Sequence, residues 1–171
     1  PEKARAKAEA YEAEIESRGV DTKITGFENT MAADRADVVV LAVPAYHIAD
    51  TIEAVDDSLA EGNILITPAT GMQRDEDGFH YHKPGAGSVT KLAVDAAPDG
   101  IPVVGAFHNL AAGRLTDLDA ELGIDTLLIS DDESAKSTVK SLAEDIDGLR
   151  GLDAGRIANA AEVESLTPLL I

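Results

Sequence analysis

A chain of 171 residues with 44% hydrophobic content can bury one substantial core and is too apolar for a disordered segment. Its 14 Lys and Arg stand against 32 Asp and Glu, a formal net charge of −18 that repels nucleic acid and anionic membranes, so neither is expected as a partner. With no cysteine, disulfides, thiolate metal sites and thiol catalysis are excluded.

The chain starts Pro1-Glu2-Lys3 without Met and reads as incomplete or processed. No secretory signal and no apolar run of the ~20 residues that span a bilayer are visible, which suits a cytoplasmic protein. Residues 1–18, rich in Ala, Glu and Lys, predict a helix closed by Gly19. A short strand over Lys23–Thr25 and a brief helix from Asn29 to Arg35 follow.

The stretch from Ala36 to His47 organises the rest. Its apolar run Val38–Val43, stopped by Pro44, fits a strand over 37–43 buried on both faces of a parallel sheet. A helix from about Tyr46 to Leu59 leads to a second buried strand, Ile64–Thr67, and so to a right-handed βαβ unit. Residues 68–87, with four Gly and two Pro, read as a long loop. A helix over Ser88–Ala97 and a strand over Pro102–Phe107 come next. Further on, the pattern gives a helix over Ala111–Leu122, a strand over Thr126–Ile129, a helix over Glu133–Ile146 capped by Ser130 or Asp131, and a strand over Leu149–Leu152. A final helix from about Asn159 ends in the apolar run Leu169-Leu170-Ile171. Alternating strands and helices predict an α/β fold with a mainly parallel sheet.

Ligands of such sheets bind beyond the carboxyl ends of the strands. That places Pro44-Ala45-Tyr46-His47 and His108-Asn109 at the first positions to search. A neutral imidazole at 108 can hydrogen-bond or pack on a cofactor ring, or simply bond to backbone. Ser165 and Thr167 flank the bend expected at Pro168, and either face a ligand or bond back to their own helix. His80-Tyr81-His82 has no third ligand beside it, and no metal is expected. A G-x-G-x-x-G phosphate loop is absent from the sequence.

Three segments carry a family resemblance: Ala-Val-Pro-Ala-Tyr-His-Ile (42–48), Ile-Asp-Gly-Leu-Arg-Gly-Leu-Asp-Ala-Gly (146–155) and Val-Glu-Ser-Leu-Thr-Pro-Leu (163–169). With Ile-Thr-Gly-Phe-Glu-Asn (24–29), they make the chain resemble the archaeal NADPH-dependent F420 reductases, and its scattered acids resemble those of haloarchaeal proteins. The resemblance implies an oxidoreductase with a Rossmann-type domain over 1–155 and the start of a C-terminal helical, dimer-forming segment over 156–171. It implies NADP and coenzyme F420 as cofactors and direct hydride passage between them, with no catalytic side chain. Lys3 would then meet the NADP 2′-phosphate, and Val43, Pro44, Ala45, Tyr46 and His47 would flank the nicotinamide. His108, Ser165 and Thr167 would line the deazaflavin pocket, in a homodimer. The family's first strand, glycine loop and first helix would lie ahead of Pro1, and Ala161 stands where the family often has arginine. Two other readings remain open at this point: an NADP-dependent reductase like pyrroline-carboxylate reductase, and a non-catalytic binding or dimerisation module.

Overall fold

The computed structural model describes residues 2–171. The elements run, in order, α1 (Glu2–Ser17), α2 (Asn29–Ala33), β1 (Val38–Val40), α3 (Ile48–Glu53), β2 (Ile64–Thr67), β3 (Met72–Asp75) and β4 (Gly78–Tyr81). They continue with α4 (Val89–Ala96), β5 (Val103–Gly105), α5 (Ala112–Leu115), β6 (Ile124–Leu128), α6 (Glu133–Glu144), β7 (Leu149–Asp153) and α7 (Ala160–Leu169).

Strands β1, β2 and β5 form a parallel sheet in that order, with Val38 opposite Ile64 and Leu65 opposite Val103. A parallel pair β6–β7 joins it through an antiparallel bridge between Gly105 and Ile129. All of β2 is buried, as a central strand covered on both faces must be. Alternate residues face opposite layers. Leu65 and Val103 pack with Ile48, Ile52, Val89 and Ala93 of α3 and α4. Ile64, Ile66 and Val104 pack on Ala135 and Val139 of α6. This is the expected α/β architecture, with helices on both faces and a C-terminal helix.

Several expectations are corrected. The strand at 37–43 keeps regular form only over Val38–Val40, and it lies at the sheet's edge, so Val40 is 51% exposed and not buried on both faces. Lys23–Thr25 is no strand. The Ile24 N–H goes to the Glu12 carboxylate of α1 at 2.7 Å, so a side chain takes the hydrogen bond a neighbouring strand would have taken. Gly26 lies so close to α1 that a Cβ there would meet the Ala4 carbonyl carbon at 2.3 Å.

The loop over 68–87 contains the β3–β4 hairpin, turned at Glu76-Asp77 with Gly78 at φ +124°. The helix over 111–122 shrinks to Ala112–Leu115. Beyond it the Thr116 hydroxyl donates to the Gly113 carbonyl and Asp117 accepts from the Asp119 N–H, local bonds that compete with helix. The cap of α6 is Asp132, accepting from the Ala135 N–H at 2.8 Å, and not Ser130 or Asp131. Pro168 falls in the last turn of α7, so the one hydrogen bond that its missing N–H gives up lies at the helix's end and not in its middle.

Candidate functional site

β1, β2 and β5 run parallel, so their carboxyl ends open on one side of the sheet. After β1, Pro44 ends the ladder and Ala45–His47 form one turn of 3₁₀-helix, closed by the His47 N–H on the Pro44 carbonyl at 2.8 Å. Tyr46 is 77% exposed, and its ring lies 4.3 Å from that of His47. Val43 lines an apolar cleft of about 350 Å³ along β1, walled also by Ala32, Ala36 and Val55. This cleft offers no cation to a phosphate.

After β2, which ends at Thr67, come Pro68-Ala69-Thr70 and then Gly71, whose absent side chain lets the His82 carbonyl approach: a Cβ there would stand 2.2 Å from that oxygen. After β5, Phe107 takes φ +65°, a left-handed conformation that a bulky side chain seldom adopts. The Phe107 N–H donates to the Thr126 hydroxyl at 3.0 Å, and the Phe107 carbonyl accepts from Leu110, so the strained residue is held from both sides. The turn throws His108 inward. Its ring is buried, and neither Nδ1 nor Nε2 has a hydrogen-bond partner. Burial drops its pKa to about 4, so the imidazole is neutral at pH 7.

α7 closes this region from the far end of the chain. The Thr167 hydroxyl donates to the His108 carbonyl at 3.1 Å and receives a bond from the Thr70 hydroxyl at 3.4 Å. The structure thus joins His108 and Thr167, two residues singled out in the sequence, and adds Thr70. Ser165 is not part of that relay, because its hydroxyl donates to the Glu162 carbonyl of its own helix at 2.7 Å. Lys3 stands exposed on the first turn of α1 and is likewise outside it.

One residue has no role in the sequence analysis beyond its place in the 163–169 segment. Glu164 is completely buried on α7 and accepts four hydrogen bonds, from the Tyr81 hydroxyl, the Val89 and Thr90 N–H groups and the Thr90 hydroxyl. The signal was available. Ala160, Val163, Glu164 and Pro168 form the helix's buried stripe, and a carboxylate on such a stripe needs donors waiting for it.

The donor set fits the ring half of a cofactor. His108 offers two unsatisfied nitrogens, and the threonine hydroxyls next to it are fixed in place. The described residues hold no strand–glycine-loop–helix cradle for a pyrophosphate. No side chain here is paired as nucleophile and base, so the arrangement can orient and exclude water but not run acid–base chemistry by itself.

The profile of a family described as "NADP oxidoreductase coenzyme F420-dependent" matches residues 1–71. A protein of Methanocaldococcus jannaschii named F420-dependent NADP reductase is 33% identical over 99% of this chain and 76% of its own length. One of the same name from Methanothermobacter marburgensis is 34% identical over 88% of this chain and 68% of its own. A solved structure from Arthrobacter sp. FB24 superposes with a TM-score of 0.70 at 21% identity, covering 84% of this chain and 66% of the other, a likeness of fold. No helix among the described residues is long and apolar enough to cross a membrane.

Proposed function

The chain belongs to the coenzyme F420-dependent NADP oxidoreductases, and on that premise we propose that the intact protein passes a hydride between NADP(H) and the deazaflavin F420. The observation that carries the reading is His108, buried with both ring nitrogens free at the carboxyl edge of the sheet, beside the Thr70–Thr167 relay. Unmade hydrogen bonds on a buried ring are costly, and a polar heterocycle placed against it would satisfy them. The redox chemistry comes from the two cofactors. The protein's part is alignment, which alone can supply a large share of the rate.

In this reading Lys3 meets the 2′-phosphate of NADP, and Val43, Pro44, Ala45, Tyr46 and His47 flank the nicotinamide. His108 and Thr167 meet the deazaflavin through polar atoms. Ser165 lines the same pocket by its shape, its hydroxyl being held by Glu162. Residues 1–155 serve as the NADP-binding domain, and those from 156 begin a helical segment that pairs two copies. Exposed Leu166, Leu169, Leu170 and Ile171 support that pairing. The acid-rich surface supports a halophilic, archaeal and cytoplasmic protein.

The test is turnover by the full-length protein with reduced F420 and either NADP+ or NAD+. A kcat/KM at least about tenfold higher for NADP+ is expected if one phosphate contact by Lys3 discriminates the two. Equal values overturn the role of Lys3, and no oxidation of reduced F420 by either overturns the reading itself.

A further inference from the structure

Glu164 is the most heavily hydrogen-bonded side chain near the site. Its four donors come from two separate parts of the fold. The Tyr81 hydroxyl, at 3.1 Å, belongs to the hairpin strand β4. The Val89 N–H at 2.9 Å and the Thr90 N–H and hydroxyl at 2.8 Å belong to the start of α4. Ser88 caps the same helix by accepting from the Lys91 N–H, so the carboxylate and this hydroxyl share the free donors of its first turn. An anion there is also favoured by the helix dipole. Tyr81 is a dependable donor, since burial and the neighbouring carboxylate push its phenol further above the ordinary value.

Two lines of contact lead from Glu164 to His108. One runs along α7: Thr167, three residues on and so about one turn away, holds the His108 carbonyl. The other runs through Thr90, whose hydroxyl is fixed by Glu164. Thr90 fills the space over Gly105, where a Cβ would lie 2.6 Å from Thr90 Oγ1 and 3.2 Å from His108 Cε1. Thr90 and the His108 ring thus both crowd the space that Gly105 leaves by lacking a side chain. If Thr90 moves, the packing over Gly105 beside His108 opens, and if α7 shifts, His108 loses the bond to its carbonyl.

We propose that Glu164 is the positioning residue of the site: its carboxylate holds Thr90 directly and anchors α7, which carries Thr167, to α4 and β4, and Thr90 and Thr167 together fix His108 where the deazaflavin binds. The proposal rests on the functional reading above for the identity of that ligand, but not for the coupling between the residues. A carboxylate is required because only an acceptor-only group serves all four donors. In Glu164→Gln the amide oxygen can still serve Thr90. The amide nitrogen then faces the Tyr81 hydroxyl, which can reverse and accept, and the Val89 N–H, which cannot. One buried backbone donor is left without an acceptor.

The test uses the full-length protein as Glu164→Gln, Tyr81→Phe and Val163→Ala. Val163 is buried on the same helix against Ile129, away from the four donors, and its truncation controls for simple loss of stability. Amide hydrogen exchange over residues 68–71 and 106–110, without any cofactor, should quicken about tenfold in Glu164→Gln and less in Tyr81→Phe, but not in Val163→Ala. The KM for F420 should rise about tenfold in Glu164→Gln, with the KM for NADP+ unchanged. If Glu164→Gln fails to fold, Tyr81→Phe carries the same measurements. Exchange over those two segments that matches wild type, or that quickens equally in Val163→Ala, overturns the proposal. Quickened exchange in Glu164→Gln, with a wild-type protein that does not oxidise reduced F420, upholds the coupling and overturns the functional reading instead.

Discussion

Thr167 and His108 are 59 residues apart in sequence, and one hydroxyl-to-carbonyl hydrogen bond of 3.1 Å ties the last helix to the carboxyl end of β5. The bond fixes backbone and not the imidazole, and the buried ring's own nitrogens have no partner. Thr167→Val keeps the shape and removes both this donor and the acceptor for Thr70. It is expected to weaken F420 binding about tenfold, as the loss of one or two modest hydrogen bonds would. Ser165→Ala should change the same Kd by less than about threefold, because that hydroxyl is spent on its own helix. Titration of both variants by deazaflavin fluorescence decides between them, and an inverted order would place the pocket on the Ser165 side.

The acid limb of the stability curve should carry a signature of His108. Its pKa drops from 6.5 to about 4 because the ring is buried without a partner. Between those values the unfolded chain binds a proton that the folded protein refuses, so stability rises with pH there. The contribution is complete above about pH 6.5 and erodes as the pH falls toward 4, by about 3 kcal/mol in all. Urea unfolding of His108→Leu should show a flatter slope over that window than the wild type. Parallel curves would mean that the imidazole finds a proton acceptor in solution.

Two glycines with ordinary backbone angles should respond oppositely to the same methyl group. At Gly26 a Cβ meets the Ala4 carbonyl carbon at 2.3 Å and the Arg5 nitrogen at 2.4 Å, and backbone cannot rotate away as a side-chain tip can. Gly26→Ala should cost about 1–3 kcal/mol and loosen the contact between α1 and residues 23–26. Gly85 has nothing within 4 Å, so Gly85→Ala should be neutral, or stabilising by less than about 1 kcal/mol through the unfolded chain. Chemical denaturation of the pair checks this, and equal effects would contradict the close packing at Gly26.

Salt should stabilise the fold. With 32 acids against 14 bases, mutual repulsion favours expansion, and it is relieved as the Debye length falls from about 10 Å at 0.1 M salt to about 3 Å at 1 M. The melting temperature should climb steadily between those KCl concentrations. A flat or falling curve would show that ion pairs such as Arg150–Asp125 and Arg156–Asp131 outweigh the net repulsion.

The sequence was most readable where one local rule decided the outcome. Ile64–Thr67 is a continuous apolar run with turn residues on either side, and it is the buried central strand. Gly19 is helix punctuation in the expected place, and Ser88, expected as the first residue of its helix, is that helix's N-cap. Reading failed where a distant partner decided. Whether Lys23–Thr25 becomes a strand depends on what lies beside it, and the neighbour is the Glu12 carboxylate. The hairpin did announce itself, since Asp77-Gly78 is a turn signal, but the surrounding Gly and charged residues masked its short strands. At the site, the sequence pointed to His108 and Thr167 by their places at a strand end and beside a proline. It could not show that a carbonyl joins them, nor that Glu164 finds four donors on elements 74 to 83 residues away.

The excess of 32 acids over 14 bases sets a practical conflict for anyone handling this protein. Like charges keep encounters between molecules rare in dilute buffer. The electrolyte that steadies each molecule also removes the barrier between molecules, so thermal resistance and colloidal lifetime should move in opposite directions as KCl is added. The useful storage condition is therefore an intermediate ionic strength, found by following scattered light and melting temperature in the same samples.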